Sequence, residues 1–371
     1  MKFQVERGDL AEAVAWTARS LPARPPVPVL AGILLDTTVG ALSLSGFDFE
    51  VAAQATVDVT IAESGRALVS GRLLAEIVRS LPNQPIDVTN DGSRVVLSCG
   101  PSRFTLPTMQ VDDYPALPDL PPVAGRVSAE EFASAVAQVV VAAGRDDTLP
   151  VLTGVRVEID GDRLTLAATD RYRLAMRELS WRPEGVELPA AALVPGRTLA
   201  EAAKALTGPG DITIALGSGA NGESLIGLAN DTRRTTTRLL DGEYPRYRSL
   251  IPNEHLSQAE VSTATFIDAL RRVSLVAART SPVRLSFETG MLLLEAGTGE
   301  DAQASEQLEV SYSGVPFTIA FNPTFLLDGL GVLDSATARL SFTDPKRPAV
   351  LTGEDADYSY LLMPVRLSAA S

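Results

Sequence analysis

One cysteine, Cys99, and one histidine, His255, occur in 371 residues. A single thiol can form neither an internal disulfide nor a thiolate metal cluster, which points to a reducing compartment and predicts a cytoplasmic protein. A single imidazole argues against histidine-rich metal sites and His-based triads. Positive charge is also short: 32 Lys plus Arg stand against 46 Asp plus Glu, a net charge of −14. A uniformly basic nucleic-acid binder is thereby excluded, and any contact with phosphates must be confined to one face. No run approaches the roughly 18 apolar residues of a membrane span, and Met1-Lys2-Phe3-Gln4-Val5-Glu6-Arg7 has no apolar core of signal-peptide length. A soluble chain without a membrane partner is expected.

What the sequence does contain is itself, three times over. Pro28-Val29-Leu30-Ala31-Gly32-Ile33 returns 122 residues later as Pro150-Val151-Leu152-Thr153-Gly154-Val155. The same offset carries Leu42-Ser43-Leu44 to Leu164-Thr165-Leu166 and Asp48 to Asp170. A fainter third copy has Phe266 and Leu270 in its helix, then Val283-Arg284-Leu285 and Leu292-Leu293-Leu294 in strands. Three copies in this length make units of ordinary domain size, far longer than solenoid or propeller repeats. The Pro-rich stretch 117–123 and the polar stretch 252–258 are natural joints, giving domains 1–122, 123–253 and 254–371.

Within a unit, Phe132, Val136, Val139 and Val140 have helical spacing, and Ser128 with Glu131 supplies a capping box. Short alternating strands closed by Gly, Asn and Asp turns lie between two helices. The pattern predicts an α+β fold with antiparallel sheets and two helices per domain. The helices are expected over 7–20, 71–81, 128–145, 196–206, 263–280 and 322–333. Together they hold ten Lys plus Arg and eight Asp plus Glu, a net of +2, while the remainder of the chain carries −16. Two readings stand: basic side chains snorkelling at solvated faces, or six helices turned toward one polyanion.

Motifs for catalysis fail on context. Gly217-Ser218-Gly219-Ala220-Asn221-Gly222 has dinucleotide-fingerprint spacing, but the following Glu223 to Leu228 read as the return strand of a hairpin, with no helix to meet a pyrophosphate. The acidic pairs Asp112-Asp113, Glu130-Glu131 and Asp146-Asp147 fall in turns and helix starts, where carboxylates are routine. Cys99 reads as strand packing and His255 as a solvated surface residue. No catalytic set, metal site or cofactor is called, so binding is expected. An enzyme with an acidic metal site and a peptide-binding scaffold remain the competing classes. The terminal Tyr358 to Leu367 is either a last core strand or one wall of a peptide groove.

Met1-Lys2-Phe3, Pro28-Val29-Leu30, Ser102-Arg103-Phe104, Thr169-Asp170 with Arg173-Leu174, Asp241-Gly242-Glu243-Tyr244-Pro245, Ser311-Tyr312-Ser313-Gly314 and Met363-Pro364-Val365-Arg366-Leu367 together resemble the bacterial DNA polymerase III beta subunit family, the replicative sliding clamps. The resemblance runs from residue 1 to about 367. An Ala-, Val- and Arg-rich, Lys-poor composition suggests a high-GC genome such as an actinobacterium's. The resemblance implies a non-catalytic processivity factor, two chains closed head to tail into a ring around duplex DNA, with helices lining the hole. It also implies partners that dock by short linear motifs: the polymerase III alpha subunit, the clamp loader, other polymerases and repair proteins.

Carried over residue by residue, the resemblance implies DNA-facing cations at Arg24, Arg72, Arg79, Arg197, Lys204 and Arg271. It implies dimer contacts between Phe104 and Leu106 of one chain and Leu275 and Val276 of the other. The peptide cleft would comprise Leu152, Thr169, Tyr172, Arg173, Leu174, Pro245, Leu250, Pro348, Leu361, Leu362, Met363, Pro364, Val365 and Arg366. Tyr172 and Arg171 depart from the smaller or imidazole side chains often found there, and Ser368 to Ser371 extend past the last cleft strand.

Overall fold

The computed structural model describes all residues except 185–189, 219–223, 253, 278–280, 298–301, 356 and 367–371. The chain forms two compact units. The first holds Met1–Glu130, Arg182–Val186 and Glu201–Leu239; the second holds Glu131–Trp181, Glu187–Ala200 and Leu240–Ser371. Each unit is built on one antiparallel sheet. In the first, 14 strands run in the order Arg182–Pro183, Val123–Ser128, Asp211–Ser218, Ser224–Ala229, Arg233–Arg238, Val51–Val57, Leu42–Phe47, Gly32–Asp36, Arg66–Ser70, Ser102–Met109, Arg94–Cys99, Ile86–Asn90, Lys2–Val5 and Thr60–Glu63. In the second, 12 strands run Ala190–Pro195, Gly154–Asp160, Arg163–Thr169, Arg173–Ser180, Tyr358–Leu362, Ala349–Thr352, Thr337–Phe342, Ser257–Ser262, Ala304–Ser313, Gly290–Ala296, Val283–Glu288 and Phe317–Phe321. Asp211–Ser218 and Ser224–Ala229 pair antiparallel, as a hairpin and not as a dinucleotide fold.

Among the described residues six α-helices accompany the sheets: α1 Arg7–Thr17, α2 Gly71–Ser80, α3 Ala129–Val140, α4 Gly196–Ala205, α5 Thr263–Val273 and α6 Pro323–Gly331. All six end earlier than their spacing predicts, three of them by three residues or more, and the last three positions predicted for α5, 278–280, lie outside the described residues. After α3 the β-branched run Val139-Val140-Val141 resists further helix, and the chain leaves through i to i+3 bonds at Ala142 and Ala143 before the Gly144 amide donates to the Leu152 carbonyl at 2.7 Å. At α1 and α5 the last turn tightens into 3-10 geometry over Ala18–Ser20 and Ser274–Val276. The helices are amphipathic in the expected sense: α2 buries Gly71, Leu74, Ile77 and Val78, while Arg72, Glu76 and Arg79 remain exposed.

The repeat seen in sequence is repeated in backbone detail. The tight turns Pro28–Ala31 and Pro150–Thr153 each lead into a strand. Two non-glycine residues take left-handed backbone, Phe49 at φ +75° and Arg171 at φ +79°, and they stand 122 positions apart. Each follows an aspartate whose Oδ1 accepts two backbone N–H groups: Asp48 from Glu50 and Val51, and Asp170 from Tyr172 and Arg173. In each unit a strap crosses the sheet and pins it with a buried tyrosine. Tyr114 Oη donates to the Ser45 carbonyl at 3.5 Å, and Tyr244 Oη to the Ala167 carbonyl at 3.3 Å. Ser45 and Ala167 are again 122 apart.

Ser102–Met109 and Ala304–Ser313 are among the strands that are paired along only part of one side. Ser102–Met109 pairs along its length with Arg94–Cys99, but on its other side only Thr108 and Met109 have partners. Ala304–Ser313 pairs with Gly290–Ala296 through residues 304–310, but on its other side only Ser311, Tyr312 and Ser313 are paired. Among the described residues, each therefore keeps a stretch of main chain with one free edge.

Candidate peptide-binding site

The site implied at the end of the sequence lies wholly within the second unit and is built upward from an apolar floor. Leu174 and Leu361 face each other across paired strands and are buried with Ala167, Leu193, Tyr244, Tyr247 and Val350, with Val151, Met176, Leu240 and Ile251 packed against them. The strap contributes Tyr244 and Tyr247 from above. Burial pushes both hydroxyls above the ordinary tyrosine range, so they act as neutral donors.

One wall is set by the Asp170 turn. Arg173 is 5 % exposed, with Nε 3.0 Å from Asp170 and Nη1 2.6 Å from Asp328 of α6. Nη1 also donates to Tyr360 Oη at 3.4 Å, and Tyr360 donates to the Phe325 carbonyl at 2.7 Å. The guanidinium sits 4.3 Å from the centroid of the Phe325 ring, a cation–π contact. Burial works against its charge, but Tyr360, Asp328 and Asp170 outweigh burial and hold the group firmly protonated. Phe325 itself is placed by the N-cap of α6, where Asn322 Oδ1 accepts from the amides of Thr324 and Phe325 at 2.9 and 3.4 Å. Over this assembly Tyr172, 57 % exposed, stacks on Phe325 with centroids 6.3 Å apart and planes at 25°.

Beyond Leu362 the chain leaves its strand but stays anchored: the Met363 amide donates to the Tyr172 carbonyl at 2.9 Å and the Val365 amide to the Ala320 carbonyl at 2.8 Å. Pro364 between them has no N–H to leave unpaired. Met363, Val365 and Arg366 are exposed and Pro364 is half-buried; Pro245 and Leu250 are exposed on the strap, and Pro348 is half-buried. These seven residues with Tyr172 form the accessible, mainly apolar rim. Leu152, Thr169, Arg173, Leu174, Leu361 and Leu362 do not line a cleft, contrary to the expectation. All six are buried, Leu152 on the tight turn Pro150–Thr153 and the other five on paired strands, so they form the floor and the bracing beneath the accessible rim. Ser368 to Ser371 lie outside the described residues.

Sequence reasoning missed the polar bracing of the strap. Glu158 Oε2 accepts from Tyr247 Oη at 2.9 Å and Arg248 Nη2 at 3.0 Å, and its Oε1 lies 3.3 Å from Arg156 Nε. Burial alone would raise the Glu158 carboxyl; the bonds from Tyr247 and Arg248 overcome it and hold the group below its ordinary range. A hollow of about 370 Å³ runs along Tyr244 to Ser249 beside this network. The alternation Arg156-x-Glu158 on one strand face was the available signal. Phe325 and Asp328 had none, since nothing local ties α6 to a turn some 155 residues earlier.

The cations implied to face DNA are all exposed: Arg24, Arg72, Arg79, Arg197, Lys204 and Arg271. Arg72 Nη2 donates to the Ala23 carbonyl at 3.3 Å, tying the Arg24 loop to α2. Arg271 lies 3.9 Å from Asp268 on its own helix, whereas Arg272 is committed to Glu306 at 2.6 Å. Helix α6 has no basic residue, and its Asp328 is neutralised by Arg173. Of the implied dimer contacts, Leu275 is 84 % exposed, Phe104 36 % and Val276 half-buried. Leu106 is corrected: at 1 % exposure it packs inside its own unit and offers no surface. No group of three or more His, Cys, Asp or Glu side chains suited to a metal occurs among the described residues, and no helix there is long and apolar enough to cross a membrane.

A repeat-built, strap-braced chain with exposed cations on three of its helices and an apolar rim has the features of a clamp-type binding protein. Models of the N-terminal, central and C-terminal domains of the DNA polymerase III beta subunit match residues 1–118, 126–246 and 248–366, and the chain belongs to that family. It is 57 % identical to the beta sliding clamp of Streptomyces coelicolor, over 99 % of this chain and 100 % of that one. It is 46 % identical to a beta sliding clamp homolog, GriR, of Streptomyces muensis, over 99 % of each. These relatives agree with the actinobacterial origin suggested by composition. Among solved structures, the Pseudomonas aeruginosa clamp bound to griselimycin superposes with a TM-score of 0.93 at 28 % identity, covering 99 % of this chain and 100 % of that one. The role is that of a sliding clamp, the non-catalytic processivity subunit of DNA polymerase III.

Proposed function

We propose that two copies close head to tail, the Ser102–Met109 edge of one pairing with the Ala304–Ser313 edge of the other, into a ring of six modules around duplex DNA. The half-paired state of these two strands carries the reading: each has an unpaired edge of similar length, and unpaired edges invite strand addition. Phe104 would then seat on Leu275 and Val276, with Leu106 supporting it from below. Such a contact is heterologous, and it closes because the end modules are repeats of one another. The modules are 1–122, 123–253 and 254–371.

In this reading Arg24, Arg72, Arg79, Arg197, Lys204 and Arg271 face the duplex. DNA presents one negative charge per about 1.7 Å of axis, so a bore as acidic as the rest of the chain would repel it. A strongly basic bore would grip phosphates and impede sliding. A weakly positive lining avoids both, and retention comes from enclosure. The rim of Tyr172, Pro245, Leu250, Pro348, Met363, Pro364, Val365 and Arg366 receives short linear motifs of the polymerase III alpha subunit, the clamp loader, other polymerases and repair proteins, which anchor by apolar side chains. The griselimycin-bound clamp of P. aeruginosa and the Caulobacter crescentus clamp with polyethylene glycol at its putative beta-motif tethering region support a ligand-receiving surface of this kind. The working compartment is the cytoplasm.

The deciding experiment loads the chain onto nicked circular DNA and then linearises it. A ring stays on the circle and runs off the linear form. Equal loss from both would overturn encirclement.

A further inference from the structure

The chain already contains two junctions of the kind that closure requires, and they share one register. Arg233–Arg238 lies along Val51–Val57 with Arg233 opposite Ala55 and Thr235 opposite Ala53. Tyr358–Leu362 lies along Arg173–Ser180 with Tyr358 opposite Arg177 and Tyr360 opposite Ala175. Ala55 and Arg177 are counterparts, since each pairs on its other side with the last residue of a repeated triplet, Leu44 or Leu166. In the third repeat the residue paired with Leu294, the last of its triplet, is Glu306. On the opposing strand Arg233 closes a two-residue turn with Asn230, and in the first repeat Ser102 closes the same turn with Cys99. Transferring the register sets Ser102 of one copy opposite Glu306 of the other, Arg103 opposite Ser305, and Phe104 opposite Ala304. The alanine is an independent agreement: the buried Thr235 and Tyr360, which hold the place of Phe104, each face an alanine as well.

Both internal junctions also carry a polar tie from one strand position to a helix of the neighbouring module. Arg233 donates to Glu12 of α1 at 2.9 Å and to the Ala205 carbonyl at the end of α4 at 3.0 Å. Tyr358 Oη donates to the Gln138 carbonyl of α3 at 3.3 Å. At the closing junction that position is Ser102, whose single methylene cannot span to a helix. The counterpart of Glu12 there is Asp268, which lies between buried Phe266 and Leu270 on α5 as Glu12 lies between buried Leu10 and Val14 on α1. Asp268 is exposed and stands 3.9 Å from Arg271. Other charges near this seam close on their own chain: Arg272 holds Glu306 at 2.6 Å, and Arg7 donates to the Arg79 carbonyl of α2 at 2.6 Å.

We infer that the closing contact takes the register of the internal junctions, and that Ser102 keeps it separable by leaving out the tie which the permanent junctions carry. The inference rests on the ring proposed above and adds to it which residues meet and why this seam is the one that parts. A heterologous contact built from repeated modules inherits their ladder, while its lifetime is set by the side chains that bridge it.

Disulfide trapping in the full chain reads the register. R103C combined with S305C is expected to give covalent pairs on oxidation, whereas R103C with Q303C or with Q307C, each displaced by two residues, is not; Cys99 is buried and offers no competing thiol. Subunit exchange between donor- and acceptor-labelled copies reads the tie. S102R, which copies Arg233, should slow exchange about threefold, the order of one exposed ion pair, and D268N should abolish that gain. S102Y, which copies Tyr358, should also slow exchange and, having a backbone acceptor, should not depend on Asp268. Trapping strongest with Q303C or Q307C overturns the register. Exchange unchanged in both S102R and S102Y, or slowed equally by S102R with and without D268N, overturns the role of Ser102. Single chains in sedimentation of the wild type would instead defeat the ring itself.

Discussion

Arg173 shows how much of a binding surface can hang on a side chain that no ligand reaches. Its charge is buried against two carboxylates, a phenol and an aromatic face, so removing it leaves Asp170 and Asp328 short of their partner. R173M is expected to destabilise the chain by about 3–5 kcal/mol, read as a lowered midpoint in denaturant titration, with loss of the Tyr172 stack as a secondary effect. Glu158 supplies a pH dependence at the same scale. Its carboxyl is held below its ordinary value of 4.5, so the stabilisation from its ionised form is complete above that pH and is lost as pH falls below it. E158Q should flatten the acid limb of a melting-temperature profile, and Y247F should flatten it in part. An unaltered limb in both would show that other carboxylates dominate. These two residues also mark where the sequence falls silent. Arg173 was legible as part of a site but not as buried, because Asp328, its second counter-ion, arrives from a helix far along the chain. Leu106, Leu361 and Leu362 came from the resemblance, which assigns a position to a site but not its exposure, and all three are buried.

At the scale of elements, the sequence was most informative where it repeated itself. The 122-residue offset foretold both the Pro-Val-Leu turns and the strands that follow, since a backbone that must turn identically selects the same residues twice. Helix ends were less legible: spacing alone ran α3 and α5 on, while β-branched residues after Val139 and the Ser274 back-bond to the Leu270 carbonyl end them early. The cap of α6 gives an element-scale test. Asn322 satisfies two amides of the first turn and thereby fixes Phe325 under Tyr172. N322A is expected to cost about 1 kcal/mol and to weaken binding of apolar peptides at the rim. Restoration of both by Asp at this position would show that the cap, and not the amide side chain as such, is what matters.

For the whole molecule, net charge and its placement decide more than any motif. An acidic chain with exposed cations on three of its six described helices, α2, α4 and α5, suits confinement of DNA better than attraction to it, in keeping with the small net charge counted over the helices. Closure is the property most open to direct measurement. L275D places a charge on the most exposed apolar residue near the half-paired Ala304–Ser313 strand, and sedimentation velocity should then report single chains where the wild type reports pairs. Pairs that persist in L275D would move the junction elsewhere. The shortfall in reading at this scale has a physical origin: whether a strand edge is left open depends on which neighbours the fold delivers, and that is a property of topology, not of any local pattern.

The open edge at Ser102–Pro107 has a consequence for how such a protein can be handled and kept. Its solitary form presents naked backbone, guarded by Arg103 and by Pro107, which withholds an amide where alignment would otherwise run on. Separation of the pair therefore does more than halve the assembly: it uncovers a strand edge to which another extended chain can add.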